Sequence, residues 1–233
     1  MCPNLVKVVT IALLLIVPSS ARAVVVPTGL NPGDIYHLAF LTDGTRDATA
    51  VSIGIYNTFV QDEAALNSNL TGTDQGVQWF VIGSTHSDDA RDNAVVSAPV
   101  YLLDGITKVA DGFADIWDGT IDNPIHIDQY GTSVSNPDPV FAGSQADGTE
   151  YFPVVGTSNV QRFLGSTSNV QLGDPAATNS DWIFDPGISS NGDLRSFYAL
   201  SELLTVVPEP TAGSLIAFGM LAVLWRRRGA PKR

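Results

Sequence analysis

Apolar residues fall into two long runs near the ends of the chain and many short runs between them. Val8–Val17 is apolar except for Thr10, and Ala212–Trp225 holds no charged residue. Between these, stretches rich in Gly, Asn, Asp and Ser separate brief apolar groups. Ile35–Leu41 followed by Thr42-Asp43-Gly44-Thr45 predicts a strand and a turn. Val51, Ile55 and Phe59 then recur four residues apart, and Gln61–Leu66 continues with good helix formers. This predicts a helix over about 47–66, although Gly54 weakens it and Val51, Ile53 and Ile55 also alternate like a strand. Val77–Ile82, Val100–Leu103, Val140–Phe141 and Phe197–Leu204 read as short strands. Val109–Trp117 predicts a short helix with Ala110, Phe113 and Trp117 on one face. Early helices followed by small strands and long loops make an α+β class.

The first long run has the three parts of a secretory leader. Lys7 gives a positive start, Val8–Val17 the apolar middle, and Pro18-Ser19-Ser20 ends it. Ala21 and Ala23 then place small residues where a signal peptidase reads, so cleavage is expected after Ala23. No twin arginine is present, which favours the general secretory machinery as the route.

The second run is bounded differently. Val207-Pro208-Glu209-Pro210 precedes it, and Arg226-Arg227-Arg228 follows at once. As a helix, residues 212–225 reach about 21 Å, short of a hydrocarbon core of about 30 Å. Snorkelling arginines and Trp225 at the boundary narrow that gap. The basic cluster predicts a cytoplasmic end with the body outside, so the arginines act as a membrane stop. Proline, Glu209, proline, a short apolar helix and terminal arginines together resemble the PEP-CTERM sorting domain. That resemblance implies that the tail 207–233 is a signal recognised by exosortase, a membrane cysteine protease of Gram-negative bacteria. It also implies transient anchoring in the inner membrane, removal of the tail, and delivery of the body to the cell surface or extracellular matrix. The two prolines disfavour helix across Val207–Pro210 and present extended backbone to a protease. These residues are substrate, not catalyst.

Three regions follow: a leader 1–23, a body 24–206 and a tail 207–233 with its helix at 212–225 and basic end at 226–233. The body has the length of one domain with a sizeable core. It carries twenty-three acids against Arg46, Arg91, Lys108, Arg162 and Arg195. So acidic a body repels phosphate backbones, which argues against nucleic acid as a partner. Cys2 is the chain's single cysteine, so the body can form neither a disulfide nor a thiolate metal site.

A second resemblance covers roughly 35–204. Gln78-Trp79-Phe80-Val81-Ile82 is followed by Asp88-Asp89-Ala90-Arg91-Asp92-Asn93, Tyr101-Leu102-Leu103-Asp104-Gly105 and Ile116-Trp117-Asp118-Gly119. Phe141-Ala142-Gly143-Ser144-Gln145-Ala146-Asp147-Gly148-Thr149, Trp182 and Phe197-Tyr198-Ala199 come later. This order is similar to bacterial C-type-lectin-like domains related to endostatin. It implies an α+β domain with small antiparallel sheets, in which Trp79, Trp117 and Trp182 are core anchors and Arg91 an ion-pair hub. Two departures are plain: this chain lacks the cysteines common near the later tryptophan and closing strand, and Phe141-Ala142 stands where a tryptophan-threonine pair is frequent.

Chemistry-bearing motifs are sparse. No nucleophile elbow, P-loop or dinucleotide glycine fingerprint occurs. His37, His86 and His126 lie far apart in sequence, so no catalytic residue or zinc site is signalled and ordinary structural or solvent roles are expected. Asp111, Asp115, Asp118 and Asp122 recur at four, three and four residues, and hard oxygen ligands suit calcium. Neither the EF-hand loop nor a lectin calcium signature accompanies them, so a solvated acidic face is the plainer reading and no cofactor is expected. Thr157-Ser158-Asn159-Val160-Gln161 recurs at Thr167-Ser168-Asn169-Val170-Gln171, too few copies for a solenoid. The expected function is a non-enzymatic exported protein with a lectin-like binding or structural body that meets an extracellular glycan or matrix component. The alternatives are a secreted glycan-active hydrolase with paired carboxylates, and a calcium-dependent adhesin.

Overall fold

The computed structural model describes residues 24–70, 76–155 and 158–207. Its first strand, β1, spans Ile35–Leu41, the bounds that the apolar run predicts. All but its first residue are buried, as expected of a strand with neighbours on both sides and layers on both faces. Helix α1 (Ile53–Ala65) follows, then β2 (Trp79–Val81), a helical turn α2 (Ala90–Asn93), β3 (Val100–Leu102) and β4 (Lys108–Ala110). A second turn α3 (Phe113–Ile116) leads to β5 (Val140–Phe141), β6 (Val154–Val155), β7 (Ser158–Asn159) and β8 (Asn169–Gly173). A 3₁₀ turn at Ser180–Trp182 precedes β9 (Ile188–Ser190), β10 (Tyr198–Ser201) and β11 (Leu204–Thr205).

The principal sheet has the order β2-β10-β1-β3-β4, with β11 added beside the start of β1. β5, β8 and β9 form a second, antiparallel sheet, and β6 with β7 a hairpin-like pair. The class is α+β. Two expectations need correction. β1 and β3 run parallel, because the long excursion through α1, β2 and α2 returns the chain to the same end of the sheet, as parallel pairing requires. The early helices reduce to one long helix and single turns.

Local chemistry explains where the helix expectations fail. Asp47 does not start α1; its carboxylate accepts from the Thr49 N–H at 3.1 Å and the Thr49 hydroxyl at 2.7 Å. Such a local turn competes with helix, and the Ala48 N–H is spent on the Asn191 carbonyl. Val109–Trp117 is not one helix either. Lys108–Ala110 pairs with β3, and only Phe113–Ile116 turns helically, leaving Phe113 exposed. The pentapeptide repeat is not a structural one: Asn169-Val170-Gln171 lies in β8, whereas Ser158–Asn159 lies in β7, and Thr157 is outside the described residues.

Two aromatic layers sandwich the principal sheet. On one face Trp79 meets Phe40 edge-on at 4.8 Å, and Phe197 packs against Tyr56 and Phe59 of α1 at 5.5 and 5.7 Å. On the other, Tyr198 meets Trp182 at 5.8 Å and donates its hydroxyl to the Trp182 carbonyl at 2.9 Å, while Trp182 meets Trp117 at 6.0 Å. All three tryptophans are therefore core anchors. Gly148 makes room for one of them: at φ +77° a Cβ there would lie 2.6 Å from the Trp117 ring.

Both rims of this sheet are occupied by side chains or loops. On the outer edge of β2, Gln61 accepts from the Trp79 N–H at 2.9 Å and Asn57 from the Val81 N–H at 2.9 Å. Asn93 donates to the Val81 carbonyl at 2.8 Å. Beyond β4, the Asp122 N–H and the Asn123 amide donate to the Val109 and Lys108 carbonyls, each at 2.8 Å.

Candidate functional site

The aspartate series divides. Asp111, Asp115 and Asp122 bring carboxylate oxygens within 4.8 Å of one another. Asp111 follows β4, Asp115 lies in α3, and Asp122 returns along β4 through its backbone bond to Val109. Asp118 points elsewhere and accepts from the Thr120 N–H at 2.9 Å and hydroxyl at 2.8 Å. The trio already holds a cation of its own. The Lys108 ammonium lies 2.5 Å from Asp111 and 3.2 Å from Asp122, and its hydrogen bond to Asp111 is the main cause raising its pKa. Asp115 is engaged too, accepting from the Asp111 N–H at 2.6 Å. The sequence signal for this pairing is the place of Lys108, three residues before Asp111.

The histidines take three separate places. His37 is buried in the middle of the sheet. Its Nε2 accepts from the Ser97 N–H at 3.1 Å, so Nδ1 carries the hydrogen and donates to the Ser201 carbonyl at 2.9 Å. His86 lies on the surface, with its ring stacked on Phe163 at 5.1 Å and Nδ1 3.0 Å from Glu150. The His126 ring places Nδ1 2.9 Å from the Pro124 carbonyl, and its backbone carbonyl accepts from the Val134 N–H. Arg91 reaches Asp89 and Asp147 at 3.8 and 3.9 Å, long contacts on a half-exposed side chain that contribute little.

Burial lowers the pKa of His37, opposed more weakly by its backbone partners at Ser201 and Glu202. Folded, it therefore binds protons less readily than unfolded. Stability is unaffected well above pH 6.5 and falls as pH drops below it, until the folded group itself titrates. Asp47, Asp104 and Asp147, whose pKa values are all lowered, lose their contribution only below 3.8. The expected result is a melting temperature that declines between pH 7.5 and 5 in the native protein and stays nearly level in His37→Gln. Parallel declines in both would show that another group titrates.

A cavity of about 400 Å³ lies between α1 and β2, lined by Asn57, Thr58, Gln61 and residues 76–80. None of these lining residues is acidic. No described helix is long and apolar enough to cross a membrane. The leader with Ala21 and Ala23, Pro208-Glu209-Pro210, the apolar segment 212–225 and Arg226-Arg227-Arg228 lie outside the described residues.

The approach to the tail is well defined. β11 pairs antiparallel with Ile35 and Tyr36 of β1. Val206 then donates its N–H to the Asp34 carbonyl and accepts from the Gly33 N–H, both at 2.9 Å. Val206 is buried, whereas Val207 is 75 % exposed. Val25, near the start of the body, lies close by: Tyr36, whose backbone faces Leu204, donates its hydroxyl to the Val25 carbonyl at 3.1 Å.

A comparison with protein families matches residues 206–228 to the PEP-CTERM protein-sorting motif. A comparison with curated proteins gave no match. The motif marks an exosortase-sorted surface protein and implies export, passage through the membrane and processing by that membrane protease.

Proposed function

We propose that a chain sorted by this motif delivers a non-enzymatic, lectin-like body, residues 24–206, to the cell surface or extracellular matrix, after a leader ending at Ala23 has directed its export. The carrying observation is the junction. Val206 is buried and bonded through both its N–H and its carbonyl to the body, and the exposed Val207 directly precedes Pro208-Glu209-Pro210. The order of aromatic anchors around Trp79, Trp117 and Trp182 supports the lectin-like reading, with packing in place of the missing cysteines. One feature supports a binding or structural role over hydrolysis. The cavity beside α1 is lined by amides, apolar groups and aromatic rings without a carboxylate, and paired acids are what glycoside hydrolysis needs. Lys108 supports a body without calcium, since it supplies the positive charge that the aspartate trio would otherwise seek.

Mass analysis of the mature protein from its native host tests the proposal. The expected polypeptide begins at Val24 and lacks the apolar segment 212–225. An intact chain of 233 residues in the cytosol would overturn it.

A further inference from the structure

The matched motif and the folded body overlap. The motif begins at Val206, and that residue is buried and tied to Gly33 and Asp34 through both its backbone groups. One residue, Val207, separates the last tied position from Pro208. Proteases bind substrate as extended backbone over several residues, commonly by adding it as a strand to their own. On the amino-terminal side of Pro208 those residues are Leu203–Val207, and the backbone is engaged at Leu204, Thr205 and Val206 with β1 or the turn before it.

We propose that β11 must leave β1 before the sorting protease can process the tail, and that its pairing sets the rate of processing. The inference rests on the sorting reading above. β11 is built to come away alone. It pairs with only Ile35 and Tyr36, Leu204 is half-buried, Thr205 is exposed, and Val206 alone is buried. β1 keeps β10 at Ala39–Leu41 and β3 at His37–Ala39 when β11 departs, so the principal sheet survives the opening. Short elements with few buried contacts are where local opening costs least. Once the tail is gone, the same pairing closes the new carboxyl end onto the body.

The test locks the strand. Ile35 and Thr205 face each other in register and are both exposed, and the chain's single cysteine is Cys2 in the leader. Full-length Ile35→Cys/Thr205→Cys is expressed in a host that carries the sorting protease, beside each single variant and the native chain. The native chain and the single variants are expected to be processed alike. The oxidised double variant is expected to accumulate as precursor, with processing slowed about tenfold or more and restored by reductant. A four-residue Gly-Ser spacer between Val207 and Pro208 is expected to restore processing of the locked chain, which separates a blocked approach from misfolding. Native-rate processing of the locked chain overturns the inference while leaving the sorting reading intact, and so does a spacer without effect. Absence of processing in the native chain overturns the sorting reading itself.

Discussion

Trp79→Ala is expected to cost about 3–5 kcal/mol, a large part of the roughly 5–15 kcal/mol that holds a typical domain together. The ring is 2 % exposed, packs edge-on against Phe40, and donates its indole N–H to the Leu70 carbonyl at 3.3 Å. Removing it opens a void between α1 and the sheet and leaves the Leu70 carbonyl without that donor. No disulfide shares the load, since the body has no cysteine. Urea unfolding of the mature protein followed by circular dichroism measures the loss. The phenylalanine variants sharpen the argument. Among the described residues the Trp182 and Trp117 indole nitrogens have no hydrogen-bond partner. Trp182→Phe therefore sheds a buried donor that makes no bond to protein, whereas Trp79→Phe breaks one. Trp79→Phe should be the more destabilising by about 1 kcal/mol. The reverse order would mean that ring packing, not the indole bond, separates the two sites.

Pro208→Ala/Pro210→Ala should leave the tail in place. The two prolines disfavour helix across Val207–Pro210. Alanine is the best helix former, so the double variant lets the apolar segment from Ala212 extend backward toward the body. A helical approach hides the backbone that a protease would bind. The expected outcome is a precursor retained in the membrane fraction with its full carboxyl-terminal mass, beside a native protein that has lost it. Equal masses for the two would show that recognition does not depend on the extended stretch. Stability of the body should be unchanged, because Val206 is the last bonded residue among those described.

Legibility from sequence followed burial and charge. β1 was readable because six apolar or aromatic positions around His37 ran up to Thr42-Asp43-Gly44, and a strand buried on both faces needs no alternation. The tail was readable because its signal is linear: proline, acid, proline, apolar run and arginines need no partner elsewhere in the chain. The start of α1 was not, since the bonds that hold Ala48 in a loop are made with Asn191 and Gly165, far along the chain. The segment 109–117 failed for a similar reason, as pairing of Lys108–Ala110 with β3 outweighed a helical spacing. The aspartate quartet was half legible. Spacing brought three of the four together, but whether they face a metal or a lysine depends on the strand that aims Lys108. The tie between Val206 and Gly33-Asp34 had no local signature, because its partners lie at opposite ends of the body.

Proteins displayed on a surface stand close together, at local concentrations where one copy's exposed strand could zip onto the next. Asn57, Gln61 and Asn93 fill hydrogen-bonding positions that a foreign strand would use on β2, and Asp122 and Asn123 do the same beyond β4. At these two rims an approaching strand meets side chains and a loop in place of open backbone groups. Strand addition at β2 and β4, the rims of the principal sheet, is thereby disfavoured.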